Sequence, residues 1–77
     1  MTEERKQHIT LQLDAHNISL NVPMSKEHLY RKAAEKINQR YKYYQRIAPN
    51  RSAEQIWVYV ALDMAGNLCA DEYANRL

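Results

Sequence analysis

One cysteine, one glycine and two prolines are all that this 77-residue chain has of the residue types that staple or punctuate a small fold. Cys69 has no partner for an internal disulfide, so the usual staple of small secreted domains is excluded. Gly66 alone cannot make a glycine-rich phosphate loop. The histidines, His8, His16 and His28, are scattered and form no His/Cys cluster of the kind that holds a structural metal. No apolar run reaches the length of a membrane span, and the opening Met-Thr-Glu-Glu-Arg-Lys is too polar for a signal peptide. With the free thiol, this points to the cytoplasm. Charge of neither sign dominates: 11 basic against 9 acidic residues give a formal +2, a weak footprint for nucleic acid. A chain this small buries a marginal share of its surface without a staple or a partner. Oligomerisation is the route left.

What the chain does have is one concentrated apolar stretch. Ile56, Trp57, Val58, Tyr59, Val60, Ala61 and Leu62 are consecutive, and Met64, Ala65, Leu68 and Cys69 follow a single Asp63. Periodicity cannot separate a buried strand from a buried helix here. The flanks decide for helix: Pro49 and Asn50 break the preceding element, and Ser52-Ala53-Glu54-Gln55 has the spacing of a capping box. A helix of about 26 residues from Ser52 would be roughly 39 Å long. Its first half is apolar all round, more than the rest of the chain can cover, and its tail narrows to a thin stripe through Leu62, Ala65 and Cys69. A second copy is the expected cover.

Upstream, residues 1–7 read as a charged leader. Ile9, Leu11 and Leu13 alternate with Thr10, Gln12 and Asp14, and Ile18, Leu20 and Val22 alternate with Ser19 and Asn21, two strands with one apolar face each. Ala15-His16-Asn17 is the expected turn, with Asn17 able to take a positive φ. Such a hairpin needs cover. Pro23 ends it, and Ser25 is the expected cap of a helix beginning near Lys26. Leu29, Ala33, Ile37, Tyr41 and Tyr44 run down one side of that helix, with Tyr30 and Ala34 widening the stripe. Fraying is expected from Arg46, before Pro49.

No residue pattern makes an enzyme. Asp14, Asp63, Asp71 and the glutamates form no recognisable acid–base pair, and Cys69 has no histidine one turn away to activate it, which leaves it a packing residue of core or interface. Tyr41, Tyr43 and Tyr44 lie among Arg31, Arg40, Lys42 and Arg46, a mixture that could stack bases and hold phosphates if Arg31, Lys42 and Arg46 converge. Two of those tyrosines sit in the apolar row, where ring burial with a wet hydroxyl is the plainer account. Trp57 divides evenly between core and interface. Tyr59 leans towards the interface.

The order of these elements, with Ala33-Ala34-Glu35-Lys36-Ile37-Asn38-Gln39-Arg40, then Ala53-Glu54-Gln55-Ile56 and Val60-Ala61-Leu62, resembles the ZapA family of bacterial cell-division proteins over about residues 8 to 73. That resemblance implies a cytoplasmic, non-enzymatic protein at the division septum, without metal, nucleotide or other cofactor. It implies binding to the tubulin-like GTPase FtsZ and bridging of its filaments by a homo-oligomer. It also implies dimers through the head and the start of the long helix, paired into tetramers by a longer coiled coil. His16 falls at the family's charged hairpin-turn position, where some relatives carry arginine, and Ser19 at a second basic strand position. Glu54 keeps the acidic position that begins the long helix, with Arg51 beside it as a further contact, and Tyr59 falls at a family interface position. Leu77 comes where relatives continue into a coiled coil, so a dimer is expected for these residues.

The expectation is therefore an α+β fold, a β-hairpin followed by two α-helices, the second long and beginning a dimer or coiled-coil interface. Residues 8–51 make the hairpin and first helix of a head, and 52–77 the long helix that completes it and starts a stalk. Ile56, Trp57, Tyr59, Val60, Leu62 and Met64 are expected at the dimer interface, and His16, Ser19, Arg51 and Glu54 towards a partner. The alternatives are a dimeric adaptor for another protein and, below it, a weak nucleic-acid-binding module.

Overall fold

A computed structural model describes residues 5–75. The elements follow the expected order of hairpin, helix and long helix, an α+β fold. Two compact units divide inside the first helix, Met1–Gln39 and Arg40–Leu77.

In the first unit, β1 (Lys6–Leu13) and β2 (His16–Pro23) pair antiparallel from Lys6↔Pro23 to Leu13↔His16. Lys6 and Gln7, expected in the leader, belong to β1; the first four leader residues lie outside the described residues. Alternation puts Ile9, Leu11 and Leu13 on one face with Ile18, Leu20 and Val22. Ile9 and Val22 are buried there. The other face is uncharged and polar beyond Lys6: the Thr10 and Ser19 hydroxyls bond at 3.1 Å, and His8 Nδ1 lies 3.1 Å from Asn21 Oδ1.

The register corrects the turn. Only Asp14 and Ala15 lie between the strands, so His16 and Asn17 are strand residues, and the positive φ (56°) belongs to Asp14. Aspartate tolerates this region because its short polar side chain can bond locally. A tight two-residue turn keeps Leu13 and Ile18 on one face; the three-residue turn starting at Ala15 would have taken His16 and Asn17 out of the ladder.

A single 3₁₀ turn, Met24–Lys26, follows Pro23 and is tied back by the Met24 N–H to Arg5 O at 2.9 Å. Ser25 is thus inside that turn, and α1 (Glu27–Ile47) starts at Glu27, whose carboxylate pairs with Arg31 at 2.8 Å. Within the first unit α1 buries Ala34 and half-buries Ile37, while Leu29 and Ala33, both expected inside, are exposed. The cause is Asn38. Its amide is bonded to the hairpin end, which turns the side of the helix shared by Ala34 and Asn38 towards the strands.

In the second unit α1 runs to Ile47 and stops before Pro49, as a proline without an N–H requires. The Ala48 N–H still reaches Tyr44 O, and the Arg51 N–H reaches Ala48 O, which shapes the connection. Ser52, extended at φ −68° and ψ 160°, caps α2 (Ala53–Ala74): its Oγ accepts from Gln55 N at 3.2 Å, and Gln55 Oε1 accepts from Ser52 N at 3.3 Å. This is the reciprocal capping box its spacing predicts. Tyr41, Ile56 and Val60 are the buried residues of the unit.

Candidate functional site

The second unit holds most of the residues singled out for assembly, and α2 presents two apolar sides. One side meets α1. The Trp57 ring lies 4.4 Å from Tyr41, and the Tyr59 ring 5.8 Å from Tyr44. Ile56 and Val60 are 1% and 2% exposed, so these two, expected at a dimer interface, are core residues of this chain. The reason is helical spacing: positions 56 and 60 share the side that faces α1 with Asp63. Trp57, Tyr59 and Met64 are half-buried, which leaves each an exposed edge.

The opposite side is open. Val58 is 60% exposed and Leu62 72%, and Ala65 and Cys69 continue their row at the i, i+4, i+7 and i+11 spacing of one helix face. Leu68 and Tyr73 flank it, also exposed. Cys69 is therefore a surface thiol on the uncovered side and not a core residue. Of the six expected interface residues, only Leu62 lies in this exposed row, which also holds Val58; in a seven-residue apolar run, composition does not say which positions face inward.

Asp63, the one charge in the apolar stretch, closes a polar knot. The Tyr44 hydroxyl donates to Asp63 Oδ2 at 2.7 Å, Asn67 Nδ2 donates to Oδ1 at 3.0 Å, and an Arg40 guanidinium nitrogen lies 3.6 Å from Oδ2. The bond to Asp63, then desolvation, then the carboxylate's negative charge raise the Tyr44 pKa above its ordinary value. The knot therefore holds the phenol neutral and sets α1 against α2 at one register. Asn67 follows Asp63 at the i, i+4 spacing of one helix, but no local spacing rule connects Asp63 to Tyr44 or Arg40.

The residues expected towards a partner are divided between the two units. His16 and Ser19 are both exposed in β2, but an odd separation puts them on opposite faces of the hairpin, with Ser19 bonded to Thr10. Arg51 and Glu54 are exposed in the second unit, flanking the Ser52 cap. Arg31, one of the three cations of the nucleic-acid alternative, is already paired with Glu27. Among the described residues no group of three or more His, Cys, Asp or Glu is placed to hold a metal, and no helix is long and apolar enough to cross a membrane.

The family of cell division protein ZapA matches residues 9–76, nearly the whole chain. The chain belongs to the ZapA family. No curated protein and no solved structure gives a match. Membership makes this ZapA-family chain a cell-division protein. It also places the exposed row of α2 and the Asp63 knot inside the matched region.

Proposed function

We propose that this ZapA-family chain is a non-enzymatic accessory protein of the cytoplasmic division septum, which binds FtsZ and cross-links its filaments as a homodimer. The observation that carries the reading is the row of Val58, Leu62, Ala65 and Cys69 on the side of α2 away from Ile56 and Val60. A continuous apolar row left in water favours association, and the cover that repeats a filament-binding face is a second copy of the same row. A single binding face cannot bridge two filaments. Symmetry duplicates it, and the second contact then forms at a raised effective concentration. A longer natural form would pair such dimers into tetramers.

Two measurements test this together. Sedimentation equilibrium should give twice the chain mass at micromolar concentration, and the protein should pellet with polymerised FtsZ while increasing light scattering by the filaments. A monomer at all concentrations would remove the bridging mechanism. A dimer that stays in the supernatant at saturating filament would favour the second reading, a dimeric adaptor for another protein. The outer face of the hairpin, uncharged beyond Lys6, with Ser19 tied to Thr10 where the resemblance implies a basic residue, supports that second reading.

A further inference from the structure

Charge is unevenly distributed in the second unit. From Arg40 to Ser52 there is no acidic residue, while Arg40, Lys42, Arg46 and Arg51 are all exposed cations. α2, from Ala53 to Ala74, carries Glu54, Asp63, Asp71 and Glu72 and no lysine or arginine. The basic stretch also has an apolar centre, with Tyr43 44% and Ile47 55% exposed.

The side chains are partly pre-set. Arg40 is drawn to Asp63 at 3.6 Å, and the Arg46 guanidinium stands 5.9 Å from the Tyr43 ring centroid. Lys42 and Arg51 form no ion pair among the described residues. Below them, an open notch of about 450 Å³ is lined by Ile47, Ala48, Pro49, Asn50, Arg51 and Gln55. Arginines whose direction is already fixed lose less freedom on binding than free ones.

We propose that the C-terminal half of α1 and the connection to α2 form a docking surface for an acidic protein segment, whose carboxylates meet Arg46 and Arg51 around an apolar contact on Tyr43 and Ile47. Three arginines to one lysine around an aromatic and an aliphatic residue is the composition of protein interfaces, where arginine and tyrosine are enriched and lysine is depleted. A single strand of nucleic acid would call for successive stacking rings. Here Tyr41 is buried and Tyr44 half-buried against Tyr59, which leaves Tyr43 as the one exposed ring of this stretch. An anionic membrane would call for a long stripe of large apolar residues, and between Arg40 and Arg51 Ile47 is the one large aliphatic residue exposed.

The surface deepens the filament-binding reading and rests on it only for the partner's identity. The test is an amide-shift titration of the whole chain with poly-L-glutamate of about 20 residues, repeated with a dT oligonucleotide of matched charge and with phosphatidylglycerol vesicles, for wild type and an Arg46→Glu/Arg51→Glu variant. Both changes are at exposed positions, and an unchanged unfolding midpoint establishes that the variant folds. Shifts confined to residues 40–51, weakened by salt and by about tenfold or more in the variant, are the expected result. Shifts elsewhere, none at all, or tighter binding to the oligonucleotide or vesicles would overturn the assignment. Co-sedimentation with FtsZ filaments separates the two ideas. A pelleting wild type with a non-pelleting variant supports both, and equal pelleting overturns the surface. If wild type itself fails to pellet, the filament reading falls, and the polyglutamate titration alone decides the surface.

Discussion

The side chain of Asn38 brackets the hairpin turn at Asp14: its Oδ1 accepts from Asp14 N–H at 2.8 Å, and its Nδ2 donates to Gln12 O at 2.8 Å. Gln12 Nε2 closes the loop on Asp14 O at 3.1 Å. One amide therefore supplies the donor and the acceptor that a positive-φ turn leaves unmatched, and in doing so it fixes the face that α1 shows to the strands in the first unit.

Asn38→Ala should cost about 1–2 kcal/mol, the net worth of two solvent-accessible hydrogen bonds. Urea unfolding should show this as a lower midpoint with an unchanged slope. Asn38→Asp should fall between wild type and alanine, because it keeps the acceptor for Asp14 N–H and loses the donor to Gln12 O. If alanine left the midpoint unchanged, the bracket would have no energetic role.

The Tyr44–Asp63 bond gives the fold an alkaline edge. Tyr44 has a pKa raised in the fold, so its contribution is fully present below the unfolded value of 10.0 and is lost as pH rises through the folded value. Unfolding midpoints of wild type and Tyr44→Phe, measured between pH 7 and 11, should therefore converge above pH 10, the phenylalanine variant being less stable at neutral pH. A constant gap across that range would mean that Tyr44 does not titrate against Asp63.

Much of this architecture could be read in the sequence, and the misreadings share a cause. Alternation found both strands because each buries one face, and the box at Ser52 found the start of α2 because capping is local. The turn was set one residue too late, since Asn17 and Asp14 tolerate a left-handed backbone alike and the choice rests on cross-strand register. Leu29 and Ala33 looked buried because the helix face is set by Asn38, a contact 24 residues from Asp14. Around Ile56 the sequence reports a surplus of apolar surface but not its division into an inner side at Ile56 and Val60 and an outer one at Val58 and Leu62.

Under the proposed dimer, that division separates assembly from folding. Val58→Glu with Leu62→Glu places charge on the open side of α2 and should weaken self-association by about tenfold or more, at least roughly 1.4 kcal/mol, with little change in helical content. Ile56→Ala acts on the inner side and should cost about 2–5 kcal/mol of folding stability. Light scattering beside thermal unfolding distinguishes them. Dimers that survive the double glutamate would place the association surface elsewhere.

Gly66 tests the same helix from a different direction. It lies inside α2, its φ is not positive, and a Cβ built there meets nothing within 4 Å. The backbone therefore makes no demand for glycine, and in an exposed helix interior alanine is better by about 1 kcal/mol, because glycine loses more freedom on folding. Gly66→Ala should raise the unfolding temperature by about 4–8 °C for a domain of this size, read at a dilution where the chain is monomeric. Repeating the measurement at high concentration adds a second readout. A gain that disappears as chains associate would mean that a second backbone approaches Gly66 too closely for a methyl group, and a gain that persists would keep the contact on the side of Val58 and Leu62.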